Sequence, residues 1–175
     1  MEPSRQFQFC PRCGRAQKER PPDKCFRCDA CEFQYYFNPA IAVAAFIVDA
    51  DGLVLFIRRA KDPGKGKLAV PGGFVDAGET AEGALRREIL EEVNLELTSL
   101  EFLASFPNQY HYKGVTYPVV DLFFVGRTDS THSTAALDGV ASCAWLDPAP
   151  IDLDEIAFPS MRAALPEFRR WAMSK

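Results

Sequence analysis

Two groups of residues have the types and spacing to do chemistry. The first is rich in carboxylates: Glu79, then Arg87-Glu88, then Glu91-Glu92, all inside GFVDAGETAEGALRREILEEVNL at residues 73–95. The spacing predicts a helix over about 80–93, where Glu88, Glu91 and Glu92 fall at i, i+3 and i+4 on one face. Like charges stacked so closely repel, each pair at a cost of a few tenths of a kcal/mol. A hard divalent cation such as Mg²⁺ or Mn²⁺, which seeks carboxylate oxygens, turns that cost into a site. Ala84, Leu85, Ile89 and Val93 recur at helical spacing and supply an apolar face for the core.

The second group is rich in thiols. Five of the six cysteines, Cys10, Cys13, Cys25, Cys28 and Cys31, lie in the first 31 residues. Two C-x-x-C knuckles flanking a hairpin-length insert are the usual frame of a zinc site. Cys10-Pro-Arg-Cys13 is the first knuckle; the second is Cys25-Phe-Arg-Cys28 or Cys28-Asp-Ala-Cys31. Four thiolates complete a tetrahedron, so one cysteine is spare. A closed site of this kind has no open position for water, so its zinc folds a small segment and does not catalyse.

The carboxylate stretch resembles the Nudix box: a glycine, five residues, Glu, seven residues, Arg-Glu, an aliphatic, any residue, Glu-Glu, any residue, Gly, an aliphatic. Gly73, Glu79, Arg87, Glu88, Ile89, Glu91, Glu92 and Leu95 match it, and Asn94 replaces the last glycine. That position follows the helix in the left-handed region, where Asn is the next most tolerant residue. The resemblance implies a Nudix α/β/α sandwich with a mixed sheet, and metal-dependent hydrolysis of a diphosphate linkage. It assigns Glu88 and Glu92 as principal Mg²⁺ or Mn²⁺ ligands and Glu91 as a further ligand, directly or through water. It also assigns a metal contact to the Gly73 carbonyl and a structural ion pair to Glu79 and Arg87. The general base stays open. Nudix proteins often place an acid three residues before a late Trp; here Ser142 precedes Trp145, with Asp138 nearby and Glu88 and Glu91 as alternatives.

The cysteine segment, with Tyr35-Tyr36 and Pro39 after it, resembles the zinc ribbon ahead of the Nudix domain in NADH pyrophosphatases. This resemblance selects Cys28 and Cys31 to join Cys10 and Cys13, and divides the chain into a ribbon at 1–36 and a hydrolase domain at 37–175. It implies a small-molecule nucleotide substrate, a nucleoside diphosphate linked to a second moiety such as ADP-ribose or NADH. By family analogy it also implies a homodimer. The Ser-Gln-Pro-Trp-Pro-Phe-Pro-x-Ser signature of that group is absent. In its place, residues 105–117 offer Phe106 and Tyr110 for stacking a base and Asn108 for orienting it, and Lys67 is a candidate for substrate phosphate. Two rival readings are a catalytically idle nucleotide sensor and a zinc-ribbon nucleic-acid binder.

Composition sets the frame around both groups. The chain has 175 residues, 47% hydrophobic and 25% charged, which suits one core-bearing domain with a small appendage. A net charge of -4 gives no reason to expect a general nucleic-acid or anionic-membrane partner. MEPSRQFQFCPRC has no apolar signal region, no run approaches a membrane span, and cysteines paired for metal suit the cytoplasm.

The elements that must position these residues follow in order. Ala40–Val48 is a β-branched apolar run. Asp49-Ala-Asp51-Gly52 then predicts a hairpin turn into a strand at 53–57. Residues 61–67 form a basic loop, and Leu68-Ala-Val-Pro71-Gly72-Gly73 leads into the box. Strands are expected at 97–106, 117–125 and 140–146. The tail at 160–173 has helical character, with Ser160 as a candidate cap and Pro166 interrupting or restarting the helix. His111 and His132 are isolated and read as surface or hydrogen-bonded residues, not ligands.

Overall fold

A computed structural model of the chain describes residues 1–17, 24–129 and 134–175; His132 lies outside them. The chain forms two compact units, one of residues 1–40 with 109–119, the other of 41–108 with 120–175.

In the first unit, β1 (Cys25–Arg27) pairs antiparallel with β2 (Gln34–Tyr36), with Phe26 opposite Tyr35. Phe26 is fully buried beside Cys10 and Cys28, and Phe7, Phe33 and Phe37 close around it. So small a unit has little apolar area to bury, and its core is an aromatic cluster set against thiols.

The second unit is built on a seven-stranded sheet. Its spine is β3 (Ala40–Val48) and β4 (Val54–Arg59), antiparallel across the turn at 49–52. That turn is the one the sequence predicts: the Asp49 carboxylate accepts the N–H groups of Asp51 and Leu53, and Gly52 takes φ +82°. Short strands β5 (Leu68–Ala69) and β6 (Gly72–Phe74) pair with β4 and β3. The long hairpin β7 (Ser99–Tyr112) and β8 (Val115–Arg127) extends the sheet beyond β3, and β9 (Val140–Leu146) pairs with β4. The hairpin strands run further than expected because Lys113 and Gly114, at φ 45° and 80°, supply a two-residue turn that keeps the ladder in register.

Two helices cover the two faces. Along β3, Val43, Ala45 and Ile47 join a core with Ala84, Leu85, Ile89 and Val93 of α1 (Ala81–Val93). The alternate residues Ala44, Phe46 and Val48 join a separate core with Ala164, Leu165 and Phe168 of α2 (Pro159–Met173). A strand buried on both sides must read as a continuous apolar run, and β3 does. The result is the expected α/β/α sandwich with a mixed sheet. Among the described residues, no helix is long and apolar enough to cross a membrane.

The tail departs from expectation. Helix α2 begins at Pro159, runs through Pro166 without a break, and has Phe158 at its cap position with no side-chain cap bond. Ser160 lies inside the first turn, where its hydroxyl donates to the buried carboxylate of Asp121 on β8. Pro159 fits because first-turn N–H groups have no helical partner. Asp121 also accepts from the Asn108 amide at 2.8 Å, so this carboxylate joins β7, β8 and α2. Burial raises its pKa from the ordinary 3.8, partly offset by the two hydrogen bonds. A carboxyl raised in the fold stabilises most below its unfolded pKa, and that contribution fades as pH rises through the folded value. Asp121→Asn, whose amide oxygen can accept the same two bonds, should therefore gain stability relative to wild type as pH rises from 4 to 7. Urea unfolding at the two pH values measures this.

Candidate active site

Helix α1 is placed by local chemistry at both ends. Thr80 caps it by accepting the Gly83 N–H at 3.1 Å. Asn94 closes it in the left-handed region at φ 54°, its N–H returning to the Leu90 carbonyl at 3.1 Å. The four apolar residues at helical spacing are its four buried residues. The opposite face carries the glutamates.

Arg87 organises that face. Its Nε and Nη2 donate to the two oxygens of Glu79 at 2.8 and 2.9 Å. Its Nη1 donates to Glu88 at 2.8 Å and Glu91 at 3.3 Å, and Nη2 also reaches the Phe74 carbonyl at 3.2 Å. Glu79 in turn accepts the Asp76 N–H at 3.1 Å, which folds the loop onto the helix. The Arg87 fork, helped by that N–H, holds the Glu79 carboxyl down at about 2, below its ordinary 4.5.

Glu88 and Glu92 meet the glycine pair of β6. Register sets Gly73 opposite Val43, on the α1 side of the sheet. A Cβ on Gly73 would stand 2.3–2.5 Å from the Glu88 carboxyl atoms, so that carboxylate occupies the space a side chain would fill. On Gly72, at φ +150°, a Cβ would come within 2.0 Å of the Val43 carbonyl oxygen. The Gly72 N–H donates to Glu92 at 3.0 Å. Burial pushes the Glu92 carboxyl up to about 7; the charges of Glu88 and Asp138 add to this, and the Gly72 N–H and Arg59 oppose it. Hard oxygen donors beside a glycine main chain suit Mg²⁺ or Mn²⁺. Glu91 stands outside this pair, more exposed and turned to Arg87.

The remaining candidates are dispersed. Lys67 donates to the Asp154 carbonyl at 3.2 Å, and Lys61 pairs with Asp138 at 3.2 Å. Phe106 packs toward Phe123 in the core that α2 covers, and Asn108 holds Asp121. Tyr110 belongs to the first unit, near Tyr112. His111 is exposed, its Nδ1 2.9 Å from the Thr116 hydroxyl. Ser142 faces Arg58 across β4 and β9. The electrostatic influence of Arg59 and Asp138 on Glu92 escaped the sequence reading, since neither is near Glu92 in the chain.

In the first unit, the Sγ atoms of Cys10, Cys13, Cys28 and Cys31 lie within 4.8 Å of one another, with Cys10 to Cys31 and Cys13 to Cys28 both at 3.7 Å. Zinc–thiolate bonds of about 2.3 Å in a tetrahedron imply sulfur separations of about 3.8 Å, so this set fits zinc. Cys25 stands apart, its Sγ accepting the Gln34 amide at 3.2 Å. Gly14, at φ +74°, closes the first knuckle with its N–H on the Cys10 carbonyl at 2.8 Å.

Two outcomes follow from these geometries. Gly73→Ala must displace the Glu88 carboxylate, and any activity that needs Glu88 in place should fall about a hundredfold. The purified protein should carry one zinc per chain, which Cys31→Ser should lose and Cys25→Ser should keep; metal analysis decides.

The comparisons agree with the geometry. The NUDIX domain model matches residues 38–168. The chain is similar to an ADP-ribose pyrophosphatase of Methanocaldococcus jannaschii, 46% identical over 38% of this chain and 39% of that one. It is 36% identical to the human mitochondrial NAD(P)H pyrophosphatase NUDT13, over 56% of this chain and 27% of the relative. It is 28% identical to the NAD-capped RNA hydrolase NudC of Pseudomonas fluorescens, over 58% and 36%. The matched stretches thus span under two fifths of each of these relatives. Among solved structures, a NUDIX hydrolase from Nitrosomonas europaea superposes with a TM-score of 0.70 over 96% of this chain and 92% of that one, at 23% identity, a likeness of fold. With the family model spanning most of its length, the chain belongs to the NUDIX domain family.

Proposed function

We propose that this protein hydrolyses the diphosphate linkage of a nucleoside diphosphate joined to a second moiety, of the ADP-ribose or NADH kind, with Mg²⁺ or Mn²⁺. The observation that carries this reading is the pair Glu88 and Glu92 set against Gly72 and Gly73 with Arg87 behind them. Support for the substrate class comes from the similarity to an ADP-ribose pyrophosphatase and an NAD(P)H pyrophosphatase. Glu88, Glu92 and the Gly73 carbonyl would hold the metal, with Glu91 as a further ligand. When bound, the metal neutralises charge on the diphosphate oxygens and lowers the pKa of a water. Arg87 and Glu79 hold loop and helix together and touch no substrate. The four-cysteine unit, proposed as a zinc ribbon at 1–36 ahead of a hydrolase domain at 37–175, has a structural role. The cytoplasm, where thiols stay reduced, is the compartment this implies.

The chemistry asks two things of the chain. It must aim clustered carboxylates at one place, and it must hold their helix against the sheet. The Arg87 fork on Glu88 and the Gly72 N–H on Glu92 serve the first, and the apolar packing beneath α1 serves the second. Product analysis across NADH, NAD⁺, ADP-ribose, diadenosine polyphosphates and nucleoside triphosphates, with Glu92→Gln as control, tests the reading. The expected outcome is a nucleoside monophosphate from one of the linked compounds and its loss by 10²-fold or more in the variant, about 3 kcal/mol in the barrier. A wild type that binds nucleotide and cleaves none would make the protein a sensor.

A further inference from the structure

The last turn of α1, which bears Glu92, is joined main chain to main chain with the segment before β9. The Leu137 N–H donates to the carbonyl of Glu92 itself at 2.9 Å, and the Ala135 N–H to that of Val93 at 3.1 Å. Both carbonyls belong to the group that every helix leaves without partners at its C-terminus. Asn94 satisfies Leu90, but its own left-handed turn cannot reach these two.

Leu137 is presented by a tight turn. The Val140 N–H closes on the Leu137 carbonyl at 3.1 Å, and Gly139 takes φ +70° between them. The turn is anchored to the end of β4, where the Ala60 N–H donates to the Gly139 carbonyl at 2.8 Å. A bulge between Arg58 and Arg59 brings the strand to this alignment, with Arg59 opposite Val140. Lys61 and Asp138 add an ion pair, but both side chains are mostly exposed and the pair contributes little. Glu92 is thereby held twice: by the Gly72 N–H on its carboxylate and by the Leu137 N–H on its main chain.

We infer that the turn at 137–140 is a positioning device for Glu92, fixing the helix end so that its carboxylate stays aligned with Gly72 and Gly73. The inference rests on the metal role proposed for Glu92. The turn acts through the helix backbone, separately from the charge that Asp138 exerts on Glu92.

Gly139 offers a clean perturbation. Nothing lies within 4 Å of the Cβ it lacks, so Gly139→Val adds left-handed backbone strain with open space for the new Cβ. Gly139→Asn keeps the conformation available. Gly52, at φ +82° with equally open surroundings, sits in the turn at 49–52, and Gly52→Val is the control for strain alone. Two readouts are taken on the zinc-loaded protein: Mn²⁺ affinity by electron paramagnetic resonance, and hydrogen exchange of the amides at 90–94. Gly139→Val should weaken Mn²⁺ about tenfold, as losses of supporting contacts around metal ligands do, and should speed exchange at 90–94. Gly139→Asn should restore both, and Gly52→Val should lower the melting temperature while leaving both unchanged. Unaltered exchange at 90–94 in Gly139→Val, or an equal effect of Gly52→Val, overturns the inference. A wild type that binds no Mn²⁺ overturns the metal reading instead, and the exchange result then decides the positioning claim by itself.

Discussion

The structure around the glutamates depends on one guanidinium. Glu88, Glu91 and Glu92 repel one another on a helix face, and Glu79 approaches the same face from the loop. Arg87 offers donors in a rigid planar fork, and it uses them on Glu79, Glu88, Glu91 and the Phe74 carbonyl. A lysine has the charge but not the geometry, since bidentate capture of Glu79 fixes the loop in one orientation. The fork joins the loop after β6 to α1, so the glycine main chain and the carboxylates arrive at one place.

The second constraint is steric. Gly73 is bare because the Glu88 carboxylate fills its side-chain space, and Gly72 is bare because the β3 main chain does. Two glycines in sequence therefore solve two different problems, one on each side of β6. Both depend on the register of β6 against β3, which is set by Val43 and its neighbours in the core beneath α1.

Much of this was legible from residue types. The apolar spacing of α1, its Asn94 end, the Asp49–Gly52 turn chemistry and the limits of β3 and β9 are local properties, and local chemistry decides them. The spare cysteine could not be chosen by counting; it is spare because Cys25 lies on a strand whose neighbour Gln34 engages its sulfur. Ser160 looked like a cap because its type suits one, yet its partner is a carboxylate 39 residues away in sequence. Lys67 read as a candidate for substrate phosphate, and its ammonium donates to the Asp154 carbonyl far along the chain. For Ser160 and Lys67 the partner lies far along the chain; for Cys25 it lies across a short hairpin.

The two cores on either side of β3 and β4 draw their residues from alternating positions of the same strands. Loss or gain of one residue inside either strand would exchange the sets, sending Phe46 toward the glutamate helix and Ala45 toward α2. The turn between β3 and β4 is free of this constraint. A fluorescent or affinity insert placed at Gly52 therefore has a far better prospect than one placed four residues to either side, inside β3 or β4.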